Sequence, residues 1–156
     1  MSIETVREYL KEFNLDDRII EFSVSSATVE LAAEALGCEG KRIAKTISLK
    51  SPDGCILIVA AGDAKIDNQK FRAQFNHKAQ MLSFEEVPEL CGHAVGGVCP
   101  FAVKDTAKVY TDISLKRFDI VYPAAGTSNS AVKLTVDELF EASQSLGWVD
   151  VCKAWE

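Results

Sequence analysis

Lys45 is the first residue whose setting asks for a chemical explanation. It lies in KRIAKTISLK (41–50), which alternates as a β-strand does, so Ile43, Lys45, Ile47 and Leu49 share one face and Ala44, Thr46, Ser48 and Lys50 the other. A cation on the apolar face is costly unless it snorkels to water at a sheet edge, meets a carboxylate, or lines a cavity that receives an anion. The second candidate is GHAVGGVCPF (92–101), which holds three glycines, Pro100, Cys99 and His93, one of only two histidines in the chain. Cys99 and His93 could form a nucleophile and its base, although Pro100 and Phe101 follow the cysteine at once and no orienting acid stands beside them. A metal site would need more close-spaced ligands than two histidines and scattered thiols supply. The stretch could also be a structural turn. In the remaining reading the backbone itself works: Gly96 and Gly97 carry no Cβ, so N–H groups can converge on a carbonyl or oxyanion, with Val98, Cys99 and Pro100 completing the loop. PAAGTSNS (123–130) offers another glycine loop, in which Gly126 is followed by Thr127, Ser128 and Asn129. Two such loops and one lysine describe a small, polar, backbone-lined pocket that requires neither metal nor cofactor.

The elements that must position these residues are legible in outline. MSIETVREYLKEF sets Ile3, Val6, Leu10 and Phe13 on one face of a helix, and SSATVELAAEALG reads as a second helix with serines for its N-cap and Gly37 as its stop. A short strand is expected at 18–22, and residues 42–50 should pair with the apolar run 55–62 across the turn SPDG. Asp67 caps a helix to Phe75, a strand is expected at 79–82, and Ser83 with Glu86 forms a capping box for a short helix ending near Gly92. Strands follow at 108–112, 119–123 and 130–135. Thr135 and Glu138 form a second capping box for a helix running to about Ser145, and 148–152 is a last strand. This interleaving without regular βαβ spacing predicts a mixed α/β (α+β) domain with a mixed or antiparallel sheet, undivided over residues 1–156.

Length and composition agree with one substantial core. A chain of 156 residues should bury roughly 70% of the surface of its unfolded form. No apolar run approaches a membrane span, and the amphipathic start lacks the order of a signal peptide, which points to a soluble protein of the cytoplasm without a membrane partner. Five cysteines, an odd number with no C-x-x-C pair, are expected as reduced thiols. The net charge of −6 resides in residues 1–40, and 41–50 carries four bases and no acid. Such a strand can meet a few phosphates, but not the extended footprint of a DNA duplex; it could equally be a row of solvated lysines.

The ordered combination of RIAKTISLK, AAGDAKIDNQKF, GHAVGGVCPF and PAAGTSNSAVKLTVDEL resembles the free-standing YbaK/EbsC-type aminoacyl-tRNA deacylases, relatives of the editing insertion of bacterial prolyl-tRNA synthetases. The resemblance runs from about residue 20 to the end and rests on the strand lysine, the G-x-x-x-P element from Gly96 to Pro100 and the glycine loop around Gly126. It implies a partly barrel-like mixed sheet surrounded by helices, and hydrolysis of the ester between a wrong amino acid and the 3′-terminal adenosine of tRNA. Lys45 would position the terminal nucleotide through its phosphate, while Gly96, Gly97 and the loop to Pro100 would hold the aminoacyl carbonyl. Thr46 and residues 126–129 would border the amino acid. No side-chain nucleophile is implied, because the ribose 2′-hydroxyl can help activate water. The expected partner is the acceptor end of an aminoacyl-tRNA, with prolyl-tRNA synthetase as the candidate protein partner. The loop after Gly126 varies with specificity, so the amino acid is not carried over; a small one such as cysteine or alanine on tRNA(Pro) fits the small residues here. A non-catalytic module that captures a charged tRNA end, and a cysteine hydrolase using Cys99, are the competing readings.

Overall fold

The computed structural model describes residues 3–23 and 28–155. Helices α1 (Ile3–Lys11), α2 (Val29–Leu36), α3 (Asn68–Phe75), α4 (Glu86–Cys91) and α5 (Val136–Ala142) surround strands β1 (Ile19–Glu21), β2 (Ile43–Ser51), β3 (Gly54–Ala61), β4 (Lys65–Ile66), β5 (Ala107–Asp112), β6 (Ile120–Pro123), β7 (Ser130–Val132), β8 (Leu134–Thr135), β9 (Trp148–Val149) and β10 (Cys152–Lys153). The main sheet has the order β8-β6-β2-β3-β5-β9 and is mixed: β2 runs antiparallel to β3 and parallel to β6, and β3 runs parallel to β5. Two small antiparallel pairs, β1 with β7 and β10 with β4, close its flanks. A mixed α/β fold with a curled, half-barrel sheet results.

The hairpin of β2 and β3 is the centre of this sheet, and its register follows from the Pro52-Asp53 turn between the paired Ser51 and Gly54. Strand β3 is buried along nearly its whole length, with period two: Cys55, Leu57, Val59 and Ala61 enter one core, and Ile56, Ile58 and Ala60 enter another. The first core is covered by α1 through Val6 and Leu10, by α4 through Val87 and Cys91, and by α5 through Leu139 and Ala142. The second is covered by α3 through Phe71.

Both capping boxes form. Ser83 N–H donates to Glu86 Oε1 at 2.8 Å and Ser83 Oγ accepts from Glu86 N–H at 3.3 Å, while Thr135 and Glu138 exchange the same pair of bonds. Asp67 caps α3 by accepting from Gln69 and Lys70 N–H. The serines expected to cap α2 include Ser25 and Ser26, which lie outside the described residues; Thr28 accepts from Leu31 N–H, and Gly37 ends the helix at φ 67°.

Three expectations need correction. The strand at 79–82 shrinks to a single bridge between Met81 and Leu49, because the Ser83 box turns the chain away. The runs 130–135 and 148–152 each split between different partners, β7 to β1 and β8 to β6, β9 to β5 and β10 to β4. Alternation reveals a strand but not a change of partner. Finally, α5 ends at Ala142 rather than near Ser145, and Gln144 takes a positive φ of 52°.

Candidate functional site

A cavity of about 430 Å³ opens where β2, the 92–101 loop and the segment after β6 meet. Its lining includes Ala44, Lys45, Thr46 and Ser48 from β2, Val95, Gly96 and Val98 from the first glycine loop, Ala124 from the start of the second, and Ser130 and Ala131 from β7. Ala32 of α2 adds another small side chain.

The faces of β2 differ from the simple alternation expected. Leu49 and Ile47 do pack together in the core that holds Ile58 and Phe71, but Ala44 of the opposite face is buried too, in the core that holds Leu57 and Val59. Nor is β2 an edge strand, so snorkelling at a sheet edge does not describe Lys45. Its side chain is half-buried, and Nζ donates to the Gly62 carbonyl at 3.3 Å. Among the described residues it has no carboxylate partner: the nearby Asp63 is engaged by the Arg117 fork at 2.6 and 3.0 Å. Burial lowers the Lys45 pKa from its ordinary value, the neighbourhood of Asp63 opposing this only partly. An ammonium held this way retains donors for an anion. Its acceptor is itself fixed by close packing, because a Cβ on Gly62 would collide with the Gly40 carbonyl. The other bases of the 41–50 stretch are committed: Lys41 and Arg42 to Glu39, Arg42 also to Asp119, and Lys50 to Glu86.

Thr46 contributes an unusual feature. Its Oγ1 is buried without a hydrogen-bond partner among the described residues. Buried hydroxyls are normally satisfied, and this orphan belongs to a residue that lines the cavity.

The glycine loops meet through Gly97. A Cβ there would stand 2.7 Å from the Gly126 oxygen and 3.0 Å from Thr127 Cα, so the two backbones touch only because residue 97 has no side chain. Gly96, at φ 94°, turns the chain to bring its own backbone to the cavity, and Gly97 N–H closes the turn onto the Ala94 carbonyl at 3.0 Å.

Of the remaining candidates, Cys99, Pro100, Gly126, Thr127, Ser128 and Asn129 stand behind the lining or beside it. Cys99 and Pro100 are buried, and Thr127 Oγ1 and Ser130 Oγ lie 2.6 Å apart. Asn129 is tied to the end of β1, its amide donating to the Phe22 carbonyl and its own carbonyl accepting from Phe22 N–H. The sequence reading did not single out Ala32, Val95 and Ala131, whose small or apolar side chains carry no chemical signal of their own.

The cysteine and histidine do approach each other, with Cys99 Sγ 3.5 Å from His93 Nε2. However, Nε2 also lies 2.6 Å from the Phe101 carbonyl, which can only accept, so Nε2 carries the proton and cannot serve the thiol as base. Burial pushes the Cys99 thiol up to about 12 and lowers the His93 pKa. This is the reverse of an activated nucleophile. In a deacylation assay Cys99→Ala is therefore expected to stay within about tenfold of the parent, and iodoacetamide treatment of the native protein should leave its rate unchanged; loss on the scale of a missing nucleophile, measured in the same assay, would restore the cysteine-hydrolase reading. Among the described residues no group of three or more His, Cys, Asp or Glu side chains could hold a metal ion.

Comparison with known proteins decides the family. Residues 24–142 match the aminoacyl-tRNA editing domain. This chain belongs to that family. It is 54% identical to the uncharacterized protein YwhH of Bacillus subtilis (strain 168), over the full length of both. It is 25% identical to the Enterococcus faecalis (strain ATCC 700802 / V583) protein named "Putative Cys-tRNA(Pro)/Cys-tRNA(Cys) deacylase EbsC", covering 76% of this chain and 73% of that one. The crystal structure of "a putative trans-editing enzyme for prolyl tRNA synthetase" superposes with a TM-score of 0.87 at 26% identity, covering 98% of this chain and 99% of the other. The mixed α/β architecture of this editing domain is thus that of a trans-editing relative. Among the described residues no helix is long and apolar enough to cross a membrane.

Proposed function

We propose that this chain is a trans-editing deacylase that hydrolyses the ester linking a small, wrong amino acid to the 3′-terminal adenosine of a tRNA, with cysteine or alanine on tRNA(Pro) as the leading substrates. The observation that carries the reading is the meeting of Lys45, Thr46 and Gly96 in one cavity of an editing-domain chain. Lys45 supplies a cation for the phosphate of the terminal nucleotide. The backbone at Gly96 faces the aminoacyl carbonyl and polarises it, and Gly97 sets the spacing of the two loops. Because the ester is already reactive, positioning and a preorganised dipole suffice, and water can attack with help from the ribose 2′-hydroxyl.

The rim suits the end of an RNA. Met81, Phe84 and Val95 border the cavity, and they are 60%, 73% and 50% exposed, three of the five large hydrophobics that the described residues leave in solvent. Apolar surface concentrated at a cavity mouth marks a docking site, and an exposed phenyl ring is a platform on which the terminal base can stack.

The floor is narrower in chemistry. Ala32, Ala44, Ala124 and Ala131 with Gly96 leave space for a small side chain, whereas Ala125, next to Ala124 in the chain, is buried in the core. Discrimination among cysteine, alanine and serine is expected to be modest, since a methylene is worth only ~1–3 kcal/mol in such a pocket. A deacylation screen over one tRNA carrying different amino acids tests both statements: alanyl and cysteinyl esters should be cleaved at least tenfold faster than phenylalanyl or leucyl esters. Equal rates would refute the small pocket, and no release of any amino acid would refute the deacylase. Prolyl-tRNA synthetase is the protein partner this function calls for, as the factor that shields correctly charged tRNA.

A further inference from the structure

The register of β2 exposes a hydrogen-bonding edge one residue wide. On the side away from β3, β6 pairs with β2 only at Ile43 and Ala44. Farther along, Lys50 N–H donates to the Gln80 carbonyl at 2.8 Å and Leu82 N–H donates to the Ser48 carbonyl at 3.3 Å. Main-chain groups of alternate residues point the same way, so Thr46, two residues before Ser48, also directs its N–H and C=O away from β3. They open on the gap between the two paired stretches. A strand continuing from Gln80 and Leu82 would next place residue 84 opposite Thr46, but the Ser83 box turns it into α4. The edge left open is about 10 Å long, at ~3.3 Å per residue. It lies in the cavity wall, where Thr46 Oγ1 is also unpartnered.

We propose that Thr46 binds the aminoacyl group as the missing strand residue: its N–H donates to the aminoacyl carbonyl and its C=O accepts from the α-ammonium. These are the two bonds of an antiparallel hydrogen-bonded pair, made here with a single amino acid. Paired residues project their side chains to the same face, so the substrate side chain lies beside Thr46, between Ala44 and Ser48. The other lone pair of the carbonyl remains for the Gly96 loop. This inference rests on the deacylase reading and adds that the α-ammonium is itself recognised.

Alanyl, lactyl and propionyl esters of the same tRNA, each rate divided by its spontaneous hydrolysis, test the pairing. The propionyl ester has no donor for the Thr46 carbonyl, and its enhancement should fall at least about tenfold below that of alanyl, because bonds to charged donors are the stronger ones. Equal enhancement would overturn the inference while leaving the deacylase intact. Thr46→Pro removes an N–H that no ladder uses together with the hydroxyl, and Thr46→Val, which loses the hydroxyl and keeps the N–H, separates the two: the proline variant should retain the melting transition while losing most of the activity that the valine variant keeps; a folded proline variant of normal activity would also overturn it. Binding of the amide-linked, non-hydrolysable alanyl adenosine analogue to the parent protein needs neither turnover nor a variant. It should shift the Thr46 amide resonance more than those of Lys45 and Ile47, and an unmoved Thr46 amide under saturation would contradict the pairing even in a protein that only binds.

Discussion

Lys45→Ala should lower deacylation by about a hundredfold or more while leaving the melting temperature unchanged or raised. Loss of activity follows from removing the cation of the cavity wall, whose proposed charge-assisted contact with a phosphate no neighbour can replace. Lys41, Arg42 and Lys50 are each held by a carboxylate, and Arg117 is locked to Asp63. The effect on stability has the opposite sign. Burial disfavours the ammonium, as its lowered pKa shows, and the one bond lost is to the Gly62 carbonyl. Lys45→Arg should not rescue, since a planar fork does not occupy the place of a compact ammonium beside Gly62. Turnover near that of the parent, measured with a folded Lys45→Ala protein, would reduce the lysine to a structural neighbour of the site.

Gly97→Ala is expected to damage the site through a single added methyl group. The new Cβ would meet the Gly126 oxygen at 2.7 Å and its carbonyl carbon at 2.8 Å, and these are backbone atoms that cannot rotate aside. The loops must separate, which should cost about 1–3 kcal/mol of stability and enlarge the cavity mouth. Because Gly96 turns on the Gly97 N–H, activity should fall further than stability, by about a hundredfold at a temperature where the variant is fully folded. Thermal melting together with single-turnover deacylation separates the two losses. A variant with the parent's rate would mean that the spacing of the loops does not set the carbonyl site.

The sequence and the structure agree most closely where a local rule decides. Both capping boxes, the Asp67 cap and the β2–β3 hairpin follow from residues adjacent in the chain, and the continuous apolar run of β3 declares burial on both faces. Disagreement appears where a distant partner decides. Nothing in SAVKLT shows that its strand changes sheets at Lys133, nor in AQML that pairing stops after Met81. The site shows the same division. Lys45 stands out because a charge sits among alternating apolar residues, and Gly96 because glycines cluster. The open edge at Thr46 has no sequence signal, since it depends on where β6 and the 80–82 segment cease to pair. Cys99 and His93 are the converse: reactive residue types whose burial and proton placement withdraw them from chemistry.

The central claim is catalysis at this cavity, and a time course of amino-acid release tests it most directly. With tRNA(Pro) carrying radiolabelled alanine or cysteine in at least hundredfold excess over protein, the account predicts release of free amino acid through many turnovers with the parent protein and near-background release with Lys45→Ala. Release that stops at one equivalent, or binding of the charged tRNA without release, would contradict it and make the chain a module that holds an aminoacylated end.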